Sequence, residues 1–192
     1  MSMSLDTTSI NKTRHNLNDY DEIWLFGYGS LIYKVDFPYV EKLPASIEGW
    51  ERRFWQGSHD HRGTPDRPGR VVTLIDSPDA MCVGMAFKVT PDVFEHLDHR
   101  EKNGYLRHEV MIRFENGELK KGLIYIADEN NEAYLGADTE LNIAKQIHKC
   151  IGPSGPNAEY ALELAQAIRA LNAIDTHVFA IEAYLKQWGD AE

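Results

Sequence analysis

The sequence predicts an α+β domain: a small, mixed, barrel-like sheet of about six strands, one inserted helix, and helices at the C-terminal end. Three observations carry that expectation. Aromatic and β-branched runs dominate the first part of the chain, apolar stripes of helical period dominate the last part, and one capped helical segment interrupts the strands. Strands first and helices afterwards is not the alternation that builds a doubly wound parallel sheet.

The first twenty residues are polar and have no apolar core of the signal-peptide kind, so residues 1–20 are expected to be a flexible extension before one domain over 21–190. Residues 22–28 (EIWLFGY), 47–56, 70–75 and 81–89 read as strands from their Trp, Phe, Val and Ile content. Two more, 105–114 and 118–126, flank Asn116-Gly117, a two-residue hairpin signal. Between the fourth and fifth strands, Thr90 and Pro91 start a helix that Asn103-Gly104 ends. Asp138 opens the next helix, with Leu141, Ala144, Ile147 and Ile151 in line. Asn157 caps another, striped by Tyr160, Ala161, Leu164, Ile168 and Leu171. Asp175 caps the last, striped by Val178, Ile181, Leu185 and Trp188.

At 192 residues, 43% hydrophobic and 26% charged, the chain has the composition of a soluble domain large enough for its own core. Its net charge of −10 opposes a broad grip on nucleic acid or an anionic membrane. Arg52, Arg53, Arg62, Arg67 and Arg70 are nevertheless concentrated in one stretch, suggesting a local basic surface for a small acidic ligand. Cys82 and Cys150 lack metal-ligand spacing and read as reduced thiols. With no run of membrane-spanning length, the expected location is cytoplasmic.

Three motifs bear on chemistry. WLFGYGSLI (24–32) delivers two glycines and a serine to a strand end. Ile32 stands where a dinucleotide fingerprint needs a third glycine, no Gly-Lys-Ser/Thr follows, and Tyr28 and Ile32 stand where a serine elbow needs glycines. A backbone nest for a carboxylate and a plain turn both survive. Phe94, Leu97 and Glu101 share one helix face, which places a carboxyl in the apolar stripe near the negative end of the helix. Burial there makes a proton acceptor; at the stripe's edge Glu101 instead pairs with Arg100 or Lys102. The third motif, RRFWQGSHDHRGTPDRPGR (52–70), reads as a structured loop, and its His59-x-His61 pair has no third ligand at zinc spacing.

Taken together, FGYGSLIYKVDFPY (26–39), RRFWQGSHDHRGTPDRPGRVVTL (52–74), HLDHREKNGY (96–105), YLG (134–136) and GPSGPNAEY (152–160) resemble the ChaC-type, glutathione-specific γ-glutamylcyclotransferases. The resemblance runs in order from residue 22 to about 185. It departs at Asn103, at His59 and in the polar extension. It implies cleavage of glutathione into 5-oxoproline and Cys-Gly, with Glu101 as general acid/base and with no cofactor or metal. It further implies that Tyr28, Gly29, Ser30 and Leu31 hold the γ-glutamyl head group, that Leu25, Phe26 and Gly27 lead into that segment, and that Tyr160 lies near the active site. The 52–70 loop is implied to contact the Cys-Gly portion.

Overall fold

The computed structural model describes residues 6–189. In chain order these form α1 (Thr8–Arg14), β1 (Ile23–Gly27), β2 (Glu41–Ser58), β3 (Gly69–Val89), α2 (Phe94–Arg100), β4 (Leu106–Phe114) and β5 (Leu119–Ile126). They continue with α3 (Glu140–Lys149), the short strands β6 (Ile151–Gly152) and β7 (Gly155–Pro156), α4 (Asn157–Ala170) and α5 (Thr176–Gly189). The α+β class and the barrel stand. The sheet closes in the order β1-β3-β2-β4-β5. Antiparallel pairs form most of it, and a parallel contact between β1 and β5, with Leu25 beside Leu123, seals it.

The barrel has five strands rather than six because residues 70–75 and 81–89 belong to one strand, β3. The Ser77-Pro78-Asp79-Ala80 segment that reads as a turn is a bulge. Glu48 pairs with Met81 and Trp50 with Asp76, so those four residues stand opposite Gly49, whose φ is 87°. β2 also begins earlier than expected, because Glu41–Ser46 pairs with β3 despite its polar residues and Pro44. The β4–β5 loop holds three residues, 115–117, since the Phe114 N–H reaches the Glu118 carbonyl at 2.9 Å. Gly117 occupies the left-handed position, φ 85°, that this longer turn needs.

The hydrophobic core includes Leu25, Ile47, Phe54, Phe87, Ile112 and Leu123, all inaccessible to solvent. Each contributes on the order of 1.5–3 kcal/mol of burial. α3, α4 and α5 pack on one another through Ile143, Ile147, Leu164, Ile168 and Ile181. Thr139 rather than Asp138 caps α3, accepting from Asn142 N at 3.1 Å, and Ile151 is an exposed residue of β6 instead of a helix-face residue. Asp175 caps α5 as expected, its carboxylate accepting from Val178 N at 3.1 Å.

Residues 1–5 of the expected flexible extension lie outside the described residues; the rest corrects that expectation. Asn11 of α1 is wholly buried, its Nδ2 donating to the Tyr105 carbonyl at 2.9 Å and its Oδ1 accepting from Arg107 N at 2.8 Å. Thr7 Oγ1 donates to the Tyr105 carbonyl at 2.8 Å. Polar composition misled here because the polar side chains of this segment complete β4's unpaired backbone groups.

Candidate active site

α2 carries the central group. Phe94 and Leu97 are buried, so the expected face does point inward, and Glu101 follows in line at the helix's C-terminal end. Its N–H completes the last helical turn on the Leu97 carbonyl at 2.9 Å, and its side chain is 15% exposed. A turn then brings the chain to Gly104, φ 90°, where an added Cβ would stand 2.5 Å from Asn131 Oδ1. Only glycine fits there.

Glu101 lies where two lobes of one cleft meet. The inner lobe, about 40 Å³, is walled by Phe26, Tyr28, Leu31, Tyr105, Tyr125 and Tyr160; Gly29 and Ser30 also line it. The outer lobe, about 150 Å³, runs past Ser30, Tyr105 and Tyr160 to Lys34, Asp36, Asp60, His61, Arg62 and Ser154. Burial pushes the Glu101 carboxyl up to about 7; the Arg100 guanidinium, 3.7 Å away, opposes that rise, and Asp36 and Asp60 add to it. Both earlier readings of Glu101 are therefore partly met, but burial outweighs the flanking cation.

The surrounding phenols are fixed on backbone. Tyr28 donates to the Tyr125 carbonyl at 2.6 Å and Tyr105 to the Val72 carbonyl at 2.7 Å, while the Tyr160 hydroxyl accepts from Val72 N at 3.2 Å. Burial, reinforced by Glu101, raises all three above the ordinary phenol value, so they remain neutral donors. Tyr160 owes its position to Asn157, one turn earlier on α4. Instead of capping the helix, as expected, that amide pairs with both backbone groups of Arg70 at 2.8 Å, like one residue of a strand. Pro156 takes the cap position.

The strand-end motif bends into a short 3-10 turn over Ser30–Ile32. The first N–H groups of such a turn have no acceptor within it. An added Cβ at Gly29 would lie 2.9 Å from Val72 Cγ2 and 3.2 Å from the Tyr160 hydroxyl, so glycine keeps this lobe open. Leu25 and Gly27 do not line the cleft. Leu25 is buried in the hydrophobic core, and Gly27 lets Leu31 approach, since a Cβ there would meet Leu31 Cβ at 2.7 Å.

Of the five clustered arginines, Arg62 alone lines the cleft. The expected basic surface is corrected because Arg52, Arg62 and Arg70 are all buried. Arg52 donates to the Tyr28 carbonyl at 2.6 Å and pairs with Asp175 at 2.8 Å; Arg70 donates to the carbonyls of Phe54 and Gly136. They brace the site from behind. Residues 52–58 and 69–70 of the 52–70 segment are strand, leaving a connecting loop of 59–68. Among the described residues, no group of three or more His, Cys, Asp or Glu side chains is placed to hold a metal ion. No helix among them is long and apolar enough to cross a membrane.

Residues 23–188 match the family model for ChaC-like proteins. The chain belongs to that family. Among curated relatives, γ-glutamylcyclotransferase 2-3 of Arabidopsis thaliana is 44% identical over 169 residues, covering 81% of this chain and 84% of that protein. Glutathione-specific γ-glutamylcyclotransferase 1 of Danio rerio is 43% identical, covering 85% and 88%. A crystal structure of a yeast γ-glutamyl cyclotransferase specific to glutathione superposes with a TM-score of 0.81 at 32% identity, covering 88% of this chain and 97% of that one.

For this ChaC-like chain, sequence reasoning missed Tyr105, Tyr125, Asp60 and Arg100 as cleft residues. Tyr105 and Tyr125 are brought together at the open end of the β4–β5 pair, where Leu106 stands opposite Ile126, which periodicity does not reveal. Asp60 and Arg100 stood inside motifs already singled out; Arg100 adjoins Glu101 in sequence, whereas Asp60 reaches the same lobe only through the fold.

Proposed function

We infer that this protein is an enzyme that cleaves glutathione, releasing 5-oxoproline and Cys-Gly. The observation that carries the reading is Glu101: a carboxyl pushed up to about 7, at the junction of a small tyrosine-walled lobe and a larger outer one. The inner lobe suits the γ-glutamyl group. Its α-carboxylate meets the free N–H groups at Ser30 and Leu31, and the Tyr160 hydroxyl, which only accepts within the protein, has its proton left for a glutamyl oxygen.

The reaction is intramolecular. The α-amino nitrogen attacks the γ-carbonyl carbon, a C–N bond closes the five-membered ring, and the C–N bond to cysteine breaks. Glu101 takes the amine proton and returns it to the departing cysteinyl nitrogen, so no proton is gained or lost overall. Folding the glutamyl chain supplies much of the acceleration, since held geometries of this kind reach effective molarities of about 10⁵–10⁸ M. Neutral tyrosines around Glu101 leave it as the group able to exchange a proton near pH 7 in the inner lobe.

The test is chromatography of reduced glutathione incubated with the purified protein. Equal amounts of 5-oxoproline and Cys-Gly are expected. Intact glutathione alongside cyclisation of γ-glutamyl-alanine would replace the substrate assignment, and no turnover of either would overturn the reaction.

A further inference from the structure

We propose that Asp60 reads the leaving group, its carboxyl accepting the N–H of the peptide bond beyond the scissile amide, so that γ-glutamyl dipeptides are preferred over γ-glutamyl amino acids. The proposal rests on the cyclisation described above. Asp60 lines the outer lobe and not the inner one, whereas Glu101 lines both. With the γ-glutamyl group inside and the scissile nitrogen at Glu101, Asp60 faces what leaves.

Its chemistry is unspent. The Asp60 carboxyl, on a side chain 32% exposed, accepts no hydrogen bond among the described residues: Oδ1 has no partner, and Oδ2 stands 3.7 Å from His61 Nε2. The other acid of this lobe, Asp36, is already engaged by Arg100 Nη1 at 2.6 Å and His96 Nε2 at 3.0 Å. Lys34 and Arg62 offer positive charge to a carboxylate there, but a ligand N–H needs an acceptor, and Asp60 has the spare oxygen.

The loop around it is built to hold still. Arg62 N donates to Ser58 Oγ at 2.8 Å, and Ser154 N donates to the His61 carbonyl at 2.8 Å. Thr64 and Arg67 exchange backbone bonds at 3.1 Å each way. An added Cβ at Gly152 would meet the His61 carbonyl at 2.3 Å, so the β6–β7 hairpin clasps this loop closely. A fixed acceptor left without its N–H discriminates strongly against a substrate that lacks one.

The experiment compares glutathione with its ester analogue, in which oxygen replaces the glycyl N–H, as a ratio of kcat/KM within each protein. Taking the ratio cancels any change at Glu101 or in the active fraction. The natural protein is expected to favour the amide by about 10-fold or more. Asp60→Ala should bring the ratio within about 2-fold of unity, while Asp60→Asn, which keeps an acceptor oxygen and the size, should retain most of the preference. A natural ratio near unity, or one that Asp60→Ala leaves unchanged, overturns the assignment. Loss of the preference in Asp60→Asn as well overturns it in favour of a charge effect. No turnover of either substrate by the natural protein sinks the reaction itself instead.

Discussion

Arg100 Nη2 donates to Ser30 Oγ across 2.9 Å, tying the 3-10 turn after β1 to the residue just before Glu101. The same guanidinium donates through Nη1 to the Lys34 carbonyl at 2.7 Å and sits 3.7 Å from the Glu101 carboxyl. One cation thus spaces the 3-10 turn from the Glu101 carboxyl and tunes that carboxyl's charge.

Replacing the acceptor should silence the reaction without unfolding the chain. Glu101→Gln is expected to lower kcat by about 10²–10⁴-fold, with its circular dichroism spectrum unchanged. Product quantification by chromatography, beside a melting curve, checks both halves.

A base must be ionised to work. Because Glu101 titrates at about 7, kcat/KM should fall as the pH drops below that value. Removing the cation that favours the ionised form, in Arg100→Gln, should move this acid limb to higher pH. An unmoved limb would mean that the guanidinium serves position alone.

The same titration links to stability. The carboxyl's folded value lies above its ordinary 4.5, so the native state binds the proton more tightly than the unfolded chain. Stability relative to Glu101→Gln should be greatest below pH 4.5 and decline as pH rises through about 7. The total change is on the order of 3 kcal/mol. Urea denaturation of both proteins across that range measures it.

Ser30→Ala removes the acceptor of the Arg100 bond but leaves the backbone N–H groups in place. A KM increase of a few-fold with kcat nearly unchanged is expected, at about 1 kcal/mol for one hydrogen bond. Steady-state kinetics decide it.

Beneath α2, Arg107 Nη2 clasps both carboxylate oxygens of Asp98, at 2.8 and 2.7 Å, and Tyr125 donates to the same group at 2.6 Å. All three side chains are buried. Asp98→Ala strands the guanidinium and should cost about 3–5 kcal/mol, whereas Tyr125→Phe should cost about 1 kcal/mol. Thermal unfolding compares the two.

The inward face of α2 and the three C-terminal helices were legible in the sequence because apolar spacing reports burial directly. The placement of Glu101 on that inward face was legible for the same reason. What escaped depends on long-range pairing. The segment 77–80 has turn composition, yet its partner strand carries the chain through it as a bulge. Arg52 and Arg70 look like surface charge until the carbonyls of Tyr28 and Phe54 are found beside them. Tyr105 and Tyr160 meet at Val72, a convergence of residues far apart in sequence that no local pattern encodes.

The family match begins at residue 23, yet Asn11 is seated against the segment that follows Glu101. A fragment trimmed to the matched span would leave the Tyr105 carbonyl and the Arg107 N–H bare beside the cleft. It would retain every residue assigned to chemistry and still lose the brace under them. Boundaries drawn by likeness mark what relatives share; here the working unit begins earlier, with a helix of seven residues that belongs to the floor of the site.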